Sequence, residues 1–161
     1  MDVNRHNQIL QTVRQTTEVD RAAKSLLQLI TRVARDEAEI HNYIEFVPTV
    51  KNEFDFFIIA HHYKMLARYR QVQIGENLAG RYEIFAMDYR TFDEDCFSTQ
   101  ASFSFDFNHF GTVSIGTQQI KCSGDPAYYE RERETFAIFI VGEIRDAMLK
   151  SQVRMVNSAP R

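Results

Sequence analysis

Apolar residues recur at helical spacing through the first 47 positions: Ile9, Leu10 and Val13, then Ala23, Leu26, Leu27, Ile30, Val33 and Ala34. No Gly or Pro interrupts them. Between the two sets, Thr16-Thr17-Glu18-Val19-Asp20 is weak in helix formers, and Thr17 with Asp20 three residues on resembles a helix start. Two helices are predicted, about 4–15 and 18–41. One continuous helix is the alternative, and it favours a coiled-coil dimer. Pro48 closes the region, because the residue before a proline is pushed out of the helical basin.

The stretch FDFFIIAHHYKMLARYRQ, residues 54–71, reads as a third helix. As a strand, 54–60 would need burial on both faces. As a helix it has Asn52 as N-cap, acids in its first turn, and Lys64, Arg68 and Arg70 toward its C-terminus, the order the helix dipole favours. A turn of 100° per residue places Phe54, Ile58, Ile59, His62, Met65, Leu66 and Tyr69 on one side, with Phe57 as the misfit. Adjacent His61 and His62 then point about 100° apart and do not clamp one metal. His62 reads as a core histidine.

The period changes after residue 72. Gly75–Gly80 is turn-like, and Tyr82, Ile84 and Ala86 share one side of an alternating run. In ASFSFDF, residues 101–107, Phe103, Phe105 and Phe107 face one way and Ser102, Ser104 and Asp106 the other, the cleanest strand in the chain. Asn108–Gly111 turns into a return strand at Thr112, giving a hairpin with one wet face. Asp125 and Pro126 start a helix running to about 154, with Tyr129, Phe136, Ile140, Ile144 and Met148 on its apolar side, flanked by Phe139, Val141 and Ala147. Gly142 inside it marks a close approach to another backbone. The fold class is therefore α+β: N-terminal helices over about 4–71, an antiparallel sheet of three to five strands over 72–120, and a long C-terminal helix, 126–154, packed on the sheet, all in a single domain spanning 1–161.

Composition narrows the function. At 161 residues, 44% hydrophobic and 25% charged, the chain can build a core without disulfides or metal. The core is expected to rest on Phe, since there are 13 and no Trp. A net charge of −3 disfavours a general nucleic-acid binder. No apolar run approaches a membrane span, and no secretory signal is read, so a cytoplasmic protein with Cys96 and Cys122 as free thiols is expected.

Chemical motifs are sparse. There is no Gly-x-Ser-x-Gly elbow, no phosphate-binding Gly loop and no paired Cys/His spacing for zinc. Cys122 before a helix start is a weak candidate for a reactive thiol. The acids Asp93-Glu94-Asp95, with Asp88 and Asp106, lack an ordered cation-loop pattern and read as solvated. No metal or cofactor is expected.

The feature that stands out is Arg/Tyr interleaving, at Arg68-Tyr69-Arg70 and Arg81-Tyr82. Guanidinium forks and Tyr rings suit protein hot spots, so Arg68, Tyr69, Arg70 and Arg81 are the candidate binding residues. The competing reading makes Tyr69 and Tyr82 core-edge residues with arginines lying around them. The profile is that of a non-catalytic binding or regulatory protein acting through protein–protein contacts, with a protein partner or with itself as a homodimer. The alternative is a small-molecule-binding domain, with Phe103, Phe105 and Phe107 lining an apolar pocket and His62 or Tyr69 as polar anchors. An enzyme built on His62 or His109 with Asp88 or Asp106 ranks below both.

Overall fold

A computed structural model describes residues 2–36, 44–60, 63–87, 96–115, 118–121 and 126–158, with the backbone alone at 60, 118, 121, 126–130, 132–133 and 151–158. The first element is one unbroken helix, α1 (Val3–Asp36). Thr16 and Thr17 lie inside it and do not start a second helix. Their hydroxyls donate to the carbonyls of Thr12 and Val13, at 2.9 and 3.1 Å. That i−4 back-bond is how a helix interior accommodates threonine.

Among the described residues the sheet has seven strands, not three to five. They are β1 (Glu45–Pro48), β2 (Phe56–Ala60), β3 (Tyr63–Ile74), β4 (Asn77–Ala86), β5 (Phe103–Asn108), β6 (Thr112–Ile115) and β7 (Gln118–Lys121). Each pairs antiparallel with the next, so order in the sheet follows order in the chain. The third helix expected over 54–71 is overturned, because β2 and β3 occupy that stretch. Phe56 and Ile58 point into the core, as do Met65 and Ala67. The outward residues of β2 are covered as well: Phe57 stacks on Phe97 with ring centroids 6.1 Å apart, and the Lys64 ammonium lies 4.2 Å from the Phe57 centroid. A strand apolar on both faces therefore satisfies both. His61 and His62, between β2 and β3, lie outside the described residues, so the core-histidine reading of His62 does too.

The turn before β4 is shorter than expected, with Gly75 at φ 62° supplying the left-handed residue. Alternation then runs as read from the sequence: Tyr82 and Ile84 in β4 and Phe105 and Phe107 in β5 are buried. Both described helices cover that one face. α1 packs on β3, β4 and β5, and the second helix, α2 (Pro126–Ser158), packs on α1, β7 and β4. The C-terminal helix thus shares the sheet with α1, and its packed stretch is shorter than 126–154. The buried residues of α2 run from Phe136 through Ile140 and Ile144 to Met148. The core is one cluster made by α1, the inner sheet face and α2.

Gly142 corrects another expectation. A methyl group built there meets no atom within 4 Å beyond the helix itself, so no neighbouring backbone requires the glycine. Gly142→Ala is expected to raise stability by about 1 kcal/mol, the helix-propensity difference between the two residues. Urea unfolding followed by circular dichroism measures it.

Candidate binding face

Both described helices lie on one side of the sheet, and among the described residues no helix covers the opposite, open face. The strand registers place residues on it in rows. One row runs Val47, Phe57, Leu66 and Phe85 across β1 to β4. The next runs Arg68, Glu83 and Ser104. A third runs Arg70, Arg81, Asp106, Ser114 and Gln119 across β3 to β7. The open face is therefore apolar toward β1 and polar toward β7, with Phe97 laid over Phe57 at the apolar end.

Three of the four residues singled out in the sequence meet here. Arg68 and Arg70 share a face because strand residues two apart point the same way. Arg81 joins them through the register that sets it opposite Arg70. Two like charges directly across a ladder repel, and two carboxylates answer them. Arg81 grips Asp106 with two bonds, Nε to Oδ1 at 2.6 Å and the terminal nitrogen to Oδ2 at 3.0 Å. That contact holds the Arg81 guanidinium's pKa above its ordinary value. Arg70 Nε donates to Glu83 on the diagonal. Arg68, exposed beside Leu66, makes no ion pair among the described residues.

Tyr69 is not part of this face. Odd-numbered residues of β3 point toward α1, and the Tyr69 hydroxyl donates to Asp20 Oδ1 at 2.7 Å. Gln71 Nε2 donates to the same oxygen at 3.0 Å and to the Thr16 carbonyl at 3.1 Å. The Tyr69 backbone N–H donates to Asp55 Oδ1 at 2.8 Å. Burial together with the Asp20 hydrogen bond pushes the Tyr69 phenol well above its usual pKa. Tyr69 therefore ties α1 to the sheet, as the core-edge reading held.

Comparison with family models, curated proteins and solved structures finds no match for this chain. What the face does rests on its own chemistry.

Of the pairings considered for catalysis, His109 with Asp106 lies within the described residues and does not assemble, whereas His62 lies outside them. Asp106 faces outward in the grip of Arg81, while His109 lies on the helix side with its Nε2 3.9 Å from Glu18 Oε2. Asp88, the acids at 93–95, and Cys122 lie outside the described residues; Cys96 carries a free thiol. Among the described residues no three His, Cys, Asp or Glu side chains gather in reach of one metal ion. Phe105 and Phe107 fill the core against Phe136 and Tyr82. No helix among the described residues is long and apolar enough to cross a membrane.

A further exposed surface is the first part of α1. Residues 2–14 are exposed throughout, and burial begins at Val19. Val3, Ile9, Leu10 and Val13 stand 70, 51, 42 and 57% exposed. At 100° per residue their mean direction lies roughly 150° around the helix from that of the buried stripe, Val19 to Ala34. The spacing was visible in the sequence. The change of side was hidden by the expectation of a break at Thr16.

Proposed function

We propose that this chain is a non-catalytic binding protein, cytoplasmic and dimeric, that acts through protein–protein contacts. The observation that supports the reading best is the projecting start of α1. Twelve residues, Val3 to Arg14, extend about 18 Å at 1.5 Å per residue without touching the core. An isolated helix of that length is marginal in water, because nucleation is costly and packing supplies most helical stability. Its apolar stripe points away from the core stripe, so it is not an extension of the fold's own packing. A second copy of the stripe is a self-complementary cover: in an antiparallel pair Val3 meets Val13, and Ile9 meets its twin near the two-fold axis. The free Cys96 thiol suits a reducing compartment. The open sheet face, with Arg68 beside Leu66, is then left for a different protein.

Light scattering behind size-exclusion chromatography tests the dimer. The wild type is expected to elute at twice the chain mass at micromolar concentration. Leu10→Glu with Val13→Glu is expected to elute at the single-chain mass and to stay folded, since neither residue belongs to the core, with an unfolding midpoint that no longer depends on protein concentration. A wild type that stays at single-chain mass at about 100 µM, where contacts of micromolar affinity are filled, overturns the reading.

A further inference from the structure

The tip of the β5–β6 hairpin closes over α1 and leaves a groove of about 350 Å³, whose walls include Glu18, Arg21, Ser25, Leu26, His109 and Phe110. That volume falls in the range of small-molecule sites. The tip is held firmly. Asn108 Oδ1 accepts the backbone N–H groups of Phe110 and Thr112, at 3.0 and 2.9 Å, and Gly111 N–H donates to the Asn108 carbonyl at 2.9 Å. Gly111 takes φ 79°, a left-handed value that a side chain resists. The turn therefore presents His109 and Phe110 in one orientation, with ring centroids 3.9 Å apart.

The walls are chemically divided. Phe110 stands 67% exposed beside the groove, while Leu26 and Ala22 form a buried apolar floor. On the polar side Arg21 has no ion pair or hydrogen bond to a side chain among the described residues. Glu18 already faces His109, though at 3.9 Å the contact is too long for a hydrogen bond. His109 Nδ1 is buried without a hydrogen-bond partner, and a native turn that orphans a polar atom calls for explanation. The groove thus offers the Arg21 guanidinium, whose planar fork matches a carboxylate, while Glu18 is turned toward His109.

We infer that this groove binds a small amphipathic carboxylate, its charged end on Arg21 and its apolar body between Phe110 and Leu26. The site is separate from the projecting helix and from the open sheet face, so it stands or falls independently of the proposed dimer. Phenylacetate is the probe, with 2-phenylethanol and 2-phenylethylamine as neutral and cationic isosteres. A ligand of about ten heavy atoms in a partly open groove is expected to bind near the millimolar range.

Titration of the ¹⁵N-labelled full chain is expected to shift amides at 18–26 and 108–112 with phenylacetate, and at least tenfold more weakly with phenylethanol. Arg21→Gln and Phe110→Ala are each expected to weaken binding at least tenfold while leaving the rest of the spectrum in place, since both side chains are exposed. No shifts at millimolar phenylacetate, a preference for the amine, or an Arg21→Gln variant that binds like wild type each overturns the assignment.

Discussion

Replacing Phe107 with alanine is expected to lower the unfolding free energy by about 3–5 kcal/mol. The ring is 1% exposed and stacks near Tyr82 and Tyr69, with centroids 6.0 and 6.1 Å away. It also lies across the backbone of β4 at its register partner Gly80. A Cβ at position 80 would sit 2.2 Å from Phe107 Cζ, well inside van der Waals contact. Gly80→Ala is therefore expected to cost about 1–3 kcal/mol by overpacking. The two changes are coupled. With the ring removed, the new methyl group has room, so the double variant is expected to be less destabilised than the sum of the single variants. Urea unfolding of the four proteins closes the cycle. Strict additivity would mean that the ring does not lie over Gly80.

Raising the pH above about 10 is expected to destabilise the fold progressively. Tyr82 is 1% exposed, with its hydroxyl donating to the Phe54 carbonyl at 3.0 Å. Burial pushes its phenol pKa far up, and the neighbouring Tyr69 and Asp55 push in the same direction. Tyr69 is raised too, by burial and then by Asp20. The unfolded chain loses these protons near pH 10, whereas the folded chain keeps them. Above that pH the unfolded state binds fewer protons, so stability falls as pH rises. The contribution is fully present below about pH 10 and is lost on the way to the folded-state pKa values. Tyr82 alone gives a slope of about 1.4 kcal/mol per pH unit, and the half-buried Tyr69 adds less. Urea midpoints taken from pH 8 to about 11 measure the slope. Tyr82→Phe is expected to flatten it, at a neutral-pH cost of about 1 kcal/mol for the lost hydrogen bond. An unchanged slope in that variant would show that other groups control alkaline unfolding.

Both experiments probe a part of the molecule that was legible residue by residue. The alternation of Phe103, Phe105 and Phe107, the shared side of Tyr82 and Ile84, and the helical spacing from Phe136 to Met148 each follow from local backbone geometry. The error at 54–71 has a specific cause. Ile58, Met65 and Tyr69 fall on one side of a helical wheel, yet they also point inward from two strands, because the inward parity changes between β2 and β3. Phe57, the misfit on the wheel, was the useful signal: on a strand it belongs to the open face, where Phe97 covers it. The candidate site was half legible for the same reason. Once β3 is a strand, Arg68 and Arg70 must share a face and Tyr69 must leave it. That Arg81 lies opposite Arg70, and that Asp106 and Glu83 answer the pair, depends on registers between strands.

Local patterning was enough to read the α+β class, the antiparallel hairpin at 103–115 and the buried sides of the terminal helices. Side-chain direction repeats with a period set by the backbone of each element, and a few residues suffice to show it. Long-range packing settles that α1 is continuous, that 54–71 forms two strands, that the described sheet holds seven strands, and that the two described helices cover the same face. Those outcomes turn on burial supplied by distant residues, such as Phe97 over Phe57, and a local period does not record which distant surface will cover it.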